Sequence, residues 1–406
     1  IVGQDVLDHV AHHDSIIRVA LAGSLRRCIE IVRDIGVVAS SDDPAALIDH
    51  LTHGEDVARI VEREDAQVRT LLSSGVPVDM RVVADDQFPT ALVHHTGNAE
   101  HVEVLAQRAR ERGMTLNETG LFRDDGTRIA LEDEAALYHA LGLPYIPPEL
   151  RENRGEFDVD TMPTLLRLAD IEGLVHCHST HSDGHCTLIE LAAALLGRGY
   201  SYLVITDHSQ SAIYARGLSP ERVLAQHREI DALNATLDGF RILKGIESDI
   251  RPDGSLDYDE ALLASFDFVI ASVHSNLGMA QEQATTRIIR AVENPHTDVL
   301  GHPTGRLLLA RAGYPLDIEK VVDACVANNT AIEISAHPRR LDLDWRHIRR
   351  AKEKGARFSI GPDAHRLDGL DCMGFGVSIA RKGWIEKSDV LNTMTAEELL
   401  AWRAAK

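Results

Sequence analysis

From about residue 171 onward, short apolar runs alternate with longer amphipathic stretches. The apolar runs have the length and composition of β-strands. They lie at 173–178, 202–206, 241–246, 267–273, 298–301, 331–335 and 356–360. The stretches between them predict helices, such as those at 187–198, 219–235, 281–293 and 317–328. This alternation predicts parallel strands joined by right-handed helical crossovers. Because polar residues gather at one end of the strands, we expect a closed or nearly closed barrel of the TIM type.

The first part of the chain has a different pattern. Residues 19–40, VALAGSLRRCIEIVRDIGVVAS, predict a strand, a Gly-Ser turn, a helix and a second strand, and VPVDMRVV at 76–83 predicts another strand. The turn-rich segment 141–150 is followed by the polar, non-periodic segment 151–170, which we interpret as a linker. The sequence therefore predicts an α/β protein whose carboxy-terminal barrel follows a smaller α+β region.

The composition narrows the class of protein. The chain has 406 residues, of which 44% are hydrophobic and 26% are charged, an ordinary globular composition for roughly two or three domains. It has no run of about 18 apolar residues, so we expect no membrane span, and its first residues do not have the pattern of a signal peptide. The five cysteines form no CxxC pair, which favours a reduced, cytoplasmic protein.

Charge and histidine content give the first indications of function. The formal net charge is −21, which argues against a basic surface for nucleic acid along the whole chain but is compatible with a local basic groove. The chain has 21 histidines, 12 of them after residue 157. Histidine is the commonest metal ligand and carries protons near neutral pH. This surplus therefore indicates a metal or acid–base site in the predicted barrel.

Potential metal ligands follow every predicted barrel strand. The carboxyl ends of barrel strands form the face that carries active sites. The first strand ends in His176 and His178, which the alternation of side chains along a strand places on one side, and Asp363 and His365 repeat this spacing. The other residues of this kind are Asp183, His208, Glu247, His274, His302 and His337. Each histidine alone is equally compatible with a core or surface role, but their shared position predicts a metal site.

The types of ligand restrict the metal and its chemistry. Imidazole and carboxylate ligands without thiolate suit Zn²⁺, Mn²⁺ or Fe²⁺, and strand alternation turns Cys177 away from the histidine pair. A cluster of this size needs more than one ion. Two or three neighbouring ions commonly serve phosphoester hydrolysis, because they polarise the phosphoryl oxygen and lower the pKa of a bound water.

The motifs HCHSTHSDG, TDHS, GIESDI, SVHS, GHPTGR and GPDAH resemble those of the polymerase and histidinol phosphatase (PHP) phosphoesterase domain. They are similar to the version at the C-terminus of bacterial family X DNA polymerases, and the resemblance covers about 171–406. It implies a distorted (β/α)7 TIM-like barrel with three divalent ions. By this resemblance, the three ligand sets are His176, His178, Glu247 and Asp363; Glu247, His274 and His302; and Asp183, His208 and His365.

The resemblance also implies roles in catalysis. Glu247 and Asp363 would fix the metal pair, and His208 or His365 would orient the phosphate and assist the leaving oxygen. His337 departs from the family, in which asparagine is expected, and is a candidate extra ligand or proton donor. Candidate phosphate-binding residues in nearby loops are Arg216, Arg306, Arg340 and His337. A lone arginine is, however, more often a surface charge.

The first part of the chain resembles the nucleotidyltransferase palm and thumb of family X DNA polymerases. Gly23 and Ser24 match the motif that positions the phosphates of the incoming nucleotide, and Asp34 and Asp79 match metal-binding carboxylates. TGNAEHVEVLAQRARERGMTLNETGLF and YIPPELRENRGE resemble the thumb. The predicted organisation is a degenerate palm at 1–95, a thumb at 96–157, a linker at 158–170 and a PHP domain at 171–406.

The palm departs from the pattern that polymerisation needs. A polymerase holds two Mg²⁺ ions with carboxylates at positions i and i+2 of one strand and a third nearby, and position i+2 after Asp34 is Gly36. Residues 1–157 contain no lysine and have 15 arginines against 28 acidic residues, although neutralised phosphates supply much of the affinity for nucleic acid. These features argue against Mg²⁺, Mn²⁺ or dNTP at the palm, and we predict impaired or absent polymerase activity.

The leading hypothesis is a metal-dependent phosphoesterase that acts on DNA 3′ ends, gaps or nicks. It would be a 3′→5′ exonuclease or a 3′-end-processing enzyme in DNA repair. One alternative is a phosphatase for a small substrate such as histidinol phosphate, which the acidic composition favours. Two others are an active family X polymerase despite Gly36 and a DNA-binding accessory whose metals only hold the barrel together. The sequence does not indicate a protein partner.

Overall fold

The computed structural model describes residues 2–406, which form two compact units. One unit ends at Met162 and the other extends from Pro163 to Lys406. Each unit is built around its own sheet. Among the helices of these residues, none combines the length and apolar character that crossing a membrane requires.

The first unit contains a five-stranded mixed sheet. Its elements are α1 (Val2–Ala11), β1 (Ile16–Ala22), α2 (Gly23–Arg26), β2 (Ile35–Ser41), α3 (Pro44–Thr52), β3 (Val57–Arg63), β4 (Gln67–Leu72), β5 (Pro77–Val83), α4 (Phe88–Thr96), α5 (Ala99–Glu111), β6 (Met114–Asn117), β7 (Gly120–Arg123) and α6 (Glu134–Ala140). The strand order is β1-β2-β5-β4-β3, in which β2 and β5 are parallel and the other pairs are antiparallel. Strands β6 and β7 form a separate hairpin.

Helices cover both faces of the five-stranded sheet. On one face, Val6 of α1 and Leu47 of α3 join Met80 of β5 in a buried apolar cluster. On the other face, Phe88 of α4 packs in a cluster with Val38 of β2. Successive residues of a strand point to opposite faces, so two helical layers bury apolar residues from both sides of the same strands.

The second unit is a seven-stranded parallel barrel. Its elements are β8 (Gly173–Val175), α7 (Leu188–Leu196), β9 (Tyr202–Ile205), α8 (Pro220–Asn234), β10 (Arg241–Asp249), α9 (Glu260–Leu263), β11 (Phe268–Ser272), α10 (Gln281–Val292), β12 (Val299–Leu300), α11 (Ile318–Ala327), β13 (Ala331–Ser335), α12 (Trp345–Glu353), β14 (Phe358–Gly361), α13 (Met373–Lys382) and α14 (Ala396–Ala404). The strands are neighbours in chain order. The barrel nearly closes where Cys177 pairs with Ala364 and the N–H of His178 donates to the carbonyl of Ala364 at 2.9 Å. The predicted fold class is thereby confirmed.

The two ends of the barrel differ in polarity. Tyr202, Phe268 and Ala331, which begin their strands, share a buried apolar cluster with Leu399 of α14. Apolar side chains therefore fill the barrel at the amino ends of the strands. The carboxyl ends are left to polar residues, as in other barrels that carry an active site there.

The first barrel strand is shorter than predicted. It ends at Val175 because His176 has a left-handed backbone with a φ of 68°. The prediction that strand alternation alone places His176 and His178 on one side is therefore wrong. Their rings still come within 5.5 Å, centroid to centroid, because the left-handed turn redirects the chain after β8.

Candidate metal centre

Histidines and carboxylates form one cluster at the carboxyl ends of the barrel strands. Four overlapping groups of three or four residues have ligand atoms that lie within 4.8 Å of one another. Their members are His176, His178, Asp183, His208, Glu247, His274, His302, Asp363 and His365. The structure thus brings together the nine residues that the family resemblance assigns as ligands, whereas His337, the candidate extra ligand, belongs to none of these groups.

Glu247 of β10 lies at the centre of this cluster. Its Oε1 is 3.0 Å from His302 Nε2, 3.3 Å from His274 Nε2 and 3.2 Å from His176 Nε2. Its Oε2 is 3.0 Å from His208 Nδ1. Both oxygens of a buried carboxylate therefore face imidazoles. A carboxylate can bind through each of its oxygens, so Glu247 is positioned to serve more than one ion.

The other side of the cluster is more open. Asp363 Oδ1 is 3.1 Å from His178 Nε2, whereas Asp183 Oδ1 is 3.3 Å from His365 Nε2 and 3.7 Å from His208 Nε2. The side chains of Asp183 and His365 are 32% and 33% exposed. A substrate can approach the cluster from this side, while Glu247 and His176 are closed to solvent.

Left-handed backbone positions three of the candidate ligands. His176, His302 and Asp363 have φ values of 68°, 23° and 51°. Non-glycine residues rarely adopt positive φ, and each such residue costs on the order of 1 kcal/mol or more. All three lie just after a barrel strand, where the turn directs the side chain into the cluster. Strain concentrated in this way is typical of functional sites.

Two further carboxylates orient the histidines, and neither is among the predicted site residues. Glu333 of β13 accepts hydrogen bonds from His176 Nδ1 and from the backbone N–H of His302. Asp249 Oδ1, at the end of β10, accepts from His274 Nδ1 at 2.5 Å. Metal-binding histidines usually donate their second N–H to such a partner. The available signal was an acidic residue inside the apolar strand AIEIS at 331–335.

Gly361 makes room for one of these contacts. A Cβ at this position would overlap the carboxylate of Glu333 and the Cβ of His176. The glycine of the GPDAH motif therefore allows Glu333 to reach the imidazole of His176. Any larger residue would displace one of the two.

The donors fit divalent cations. Buried polar atoms almost always make hydrogen bonds, yet among the described residues His176 Nε2, His178 Nδ1 and Glu247 Oε2 make none with suitable geometry, although oppositely charged groups lie nearby. These three atoms belong to members of the cluster. Nitrogen and carboxylate donors without thiolate are the ligands that Zn²⁺, Mn²⁺ and Fe²⁺ accept.

The surroundings keep the carboxylates ionised. Burial alone would raise the pKa values of Glu247 and Asp363, but the facing histidines lower both well below the usual range. Burial also opposes ionisation of Asp183, but the hydrogen bond from His365 and the nearby imidazoles lower its pKa to about 2. All three carboxylates are therefore anionic at neutral pH, as metal ligands must be.

Two of the candidate phosphate-binding residues lie at the rim of the cluster. Arg340 Nε is 3.5 Å from Asp363 Oδ2. His337 is half-buried, and burial lowers its pKa while the charge of Asp363 opposes that effect. Both follow β13, on the same end of the barrel as the cluster. Arg340 is therefore placed to meet a group that approaches Asp363.

The other two candidates have different surroundings. The guanidinium of Arg306 donates to Asp344 Oδ2 at 2.7 Å, to the carbonyl of Arg340 at 2.9 Å and to the carbonyl of Leu341. It holds the 340–344 loop and is not directed at the cluster. Arg216 lies in the loop after β9, is exposed and has a φ of 56°.

The palm-like residues do not form a comparable cluster. Gly23 begins α2 directly after β1, and Ser24 follows it. Gly36 of β2 pairs with Asp79 of the parallel neighbour β5, and Asp34 precedes β2. Asp79 Oδ1 accepts a hydrogen bond from Gln67 at 3.2 Å. Within residues 2–406, neither aspartate belongs to a group of three donors close enough to share an ion.

Comparisons with known proteins match both units. Residues 91–152 match the family model of the DNA polymerase beta thumb, and residues 175–337 match that of the PHP domain. The chain is 41% identical to the DNA polymerase/3′-5′ exonuclease PolX of Bacillus subtilis (strain 168) over 406 residues, which cover 99% of this chain and 71% of that protein. It is 30% identical over 234 residues to a probable phosphatase of Thermoanaerobacter sp. (strain X514), covering 54% of this chain and 89% of that protein.

The fold and the site together define the class. A parallel barrel that matches the PHP domain and gathers histidines and carboxylates at its carboxyl ends is a metal-dependent hydrolase. The thumb match and the identity along nearly the whole chain place this unit in a polymerase-related protein. The chain belongs to the PolX family, which confirms the resemblance found in its motifs.

Proposed function

We propose that this protein is a metal-dependent 3′→5′ exonuclease that processes DNA 3′ ends, including those at gaps and nicks. The cluster centred on Glu247 carries this proposal, because its donors lie at the carboxyl ends of a PHP barrel. The PolX relative is named a DNA polymerase and a 3′-5′ exonuclease, which supports DNA as the substrate.

The proposed cofactor is a set of three divalent ions, Zn²⁺, Mn²⁺ or Fe²⁺. The proposed ligand sets are His176, His178, Glu247 and Asp363; Glu247, His274 and His302; and Asp183, His208 and His365. When bound, such ions polarise a phosphoryl group and activate water. The imidazole–carboxylate distances around Glu247 support its role as the shared ligand.

The chain's own residues then serve one hydrolytic step. The oxygen of water bonds to phosphorus, the bond from phosphorus to the 3′ oxygen breaks, and a nucleoside 5′-monophosphate leaves. His208 or His365 orients the phosphate and helps the 3′ oxygen depart, and that oxygen takes the proton that the attacking water releases. Arg340, beside Asp363, binds a non-bridging phosphate oxygen.

We propose that the palm at 1–95 and the thumb at 96–157 present DNA to the barrel and do not extend it. Gly36 of β2 pairs with Asp79 of β5. This pair of positions therefore supplies one carboxylate, whereas binding the two metal ions of a polymerase needs further carboxylates. A Cβ at Gly36 would meet Ala22 no closer than 3.4 Å. The backbone therefore has room for a Cβ at this position, and Gly36→Asp tests whether the missing carboxylate limits extension.

One gel tests the proposed function. A 5′-labelled primer–template is incubated with the protein and Mn²⁺, with and without dNTPs. We expect the primer to be shortened, and we expect EDTA and the His176→Ala substitution each to abolish this shortening. With dNTPs present, we expect no product longer than the primer. His347→Ala, an exposed histidine outside the cluster, is the matched control and should keep full activity. If the primer is not shortened, the exonuclease proposal is wrong. If a product longer than the primer appears, the proposal that the palm does not extend DNA is wrong.

A small phosphate is the second candidate substrate. The similarity of the barrel to the probable phosphatase of Thermoanaerobacter sp. (strain X514) supports this substrate. Release of phosphate from histidinol phosphate, together with intact DNA in the gel, would favour this function. Shortened DNA without phosphate release would oppose it.

A further inference from the structure

The loop 209–217 brings an exposed aromatic residue to the metal centre. This loop connects β9 to α8 and directly follows His208. At its tip, Ile213 and Tyr214 are 84% and 70% exposed. The ring of Tyr214 lies 6.2 Å from the ring of His208, centroid to centroid. Large apolar surface is thus presented to solvent beside residues that the proposed reaction uses.

The loop is held by the same carboxylate that orients one of the candidate ligands. Ser211 Oγ donates to Asp249 Oδ2 at 2.8 Å, and Asp249 also accepts from His274. The N–H of Ser211 donates to Asp257 Oδ2 at 2.6 Å. A Cβ at Gly217 would overlap the carbonyl of Ser209, so the loop also closes tightly at its base. Tyr214 is therefore pre-positioned, which lowers the entropic cost of binding a partner.

Tyr214 presents its ring to solvent beside the cluster, and a cationic side chain follows it closely in the chain. Arg216 lies two residues further along the chain, and its side chain is exposed. Proteins that bind single-stranded nucleic acid combine aromatic rings, on which bases stack, with cationic side chains, which bind phosphates.

We propose that Tyr214, with Ile213 beside it, stacks on a nucleobase of the DNA 3′ end next to the cleaved phosphodiester. A single-stranded base at the 3′ end has a free face on which the ring of Tyr214 can stack. Stacking is tolerant of sequence, since every base has such a face. This inference rests on the proposed exonuclease function.

The test compares two single-stranded, 5′-labelled oligonucleotides that differ only in the last two nucleotides. One has normal bases, and the other has tetrahydrofuran abasic residues at both positions. The wild-type protein should cleave the first with a kcat/KM about 10-fold higher. Tyr214→Ala should lose about 10-fold on the normal oligonucleotide and nothing on the abasic one. Tyr214→Phe, which keeps the ring, should behave as wild type on both.

The controls separate this inference from the function on which it depends. Phe375→Ala removes an aromatic side chain that is 49% exposed on α13, and it should change neither rate. Failure of the wild-type protein to shorten either oligonucleotide contradicts the exonuclease function itself. Cleavage of both oligonucleotides at equal rates by the wild type overturns the stacking inference. So does an equal loss on both by Tyr214→Ala, which would indicate damage to the metal centre through His208.

Discussion

The barrel and the palm-like unit both place carboxylates on neighbouring strands, but only the barrel surrounds them with further donors. Glu247 faces five imidazoles, and carboxylates behind two of them, His176 and His274, fix their orientation. Asp79 faces Gly36 across the sheet and receives one hydrogen bond, from Gln67. A metal site depends on the complete set of ligands and on the groups that orient them. In the described chain, Asp79 lacks the surrounding donors that such a site needs.

Charged residues serve a different purpose in the first unit. Arg26 and Arg27 follow the Gly-Ser pair of the palm, where a nucleotide phosphate would bind. Arg26 Nη2 instead lies 2.7 Å from Glu134 Oε2, and Arg27 Nε lies 2.9 Å from Glu152 Oε1. Glu134 also binds the fully buried Arg151 at 2.6 Å. In this unit, buried charges pair with one another, whereas in the barrel they converge on a shared centre.

Removing the central carboxylate should have the largest effect. Glu247→Gln removes the negative charge of the carboxylate that faces five imidazoles, and we expect exonuclease activity to fall on the order of 1000-fold. Initial rates of primer shortening and the metal content of the purified protein measure this loss. A rate within about tenfold of wild type would break the assignment of Glu247 as the shared ligand.

Glu134→Gln should affect stability and leave catalysis unchanged. The variant leaves Arg151 buried without its anionic partner, which we expect to cost about 3 kcal/mol of unfolding free energy. Burial alone raises the pKa of Glu134, but Arg26 and Arg151 lower it from 4.5 to about 2. The stabilisation is therefore complete above pH 4.5 and is lost as the pH falls towards 2.

Urea unfolding at neutral and acidic pH measures this effect. Glu103→Gln, which removes an exposed ion pair with Arg110, is the control and should leave stability unchanged. At neutral pH the exonuclease rate of folded Glu134→Gln should equal that of wild type. A slower rate would show that the ion pairs of the first unit also serve catalysis.

A smaller effect is expected from the carboxylate behind the ligands. Glu333→Gln weakens the contact that orients His176, and such changes typically cost about 10- to 100-fold in metal affinity or activity. Titration with Mn²⁺ should show a higher concentration for half-maximal activity, and excess Mn²⁺ should restore most of the rate. Exposed Glu353→Gln is the control. A loss that excess Mn²⁺ does not rescue would argue against a positioning role.

The smallest effect should come from the palm. Asp79→Asn should leave primer shortening within about twofold of wild type, because Asp79 belongs to no donor cluster in the described chain. If the wild-type protein extends the primer and Asp79→Asn does not, the palm is functional. That result would reverse the comparison between the barrel and the palm-like unit.

The sequence alone was sufficient for the fold class and for the members of the candidate metal cluster. Alternating apolar runs and helices are local patterns, and the strands of a parallel barrel all deliver their carboxyl ends to one face. Residues such as His208, Glu247 and His302 could therefore be grouped without coordinates. The family resemblance added the assignment of those residues to separate ions.

The tertiary structure alone decided how these residues are supported. Glu333 is 157 residues from His176 in the chain, and no local pattern indicates which imidazole a buried glutamate will contact. His176 and His178 lie close together because His176 has a left-handed backbone, and not because of strand alternation. The engagement of Arg306 by its own loop and the exposure of Tyr214 beside His208 also depend on long-range packing. Periodicity specifies which face a residue occupies, whereas contacts across the sheet determine what that residue can do.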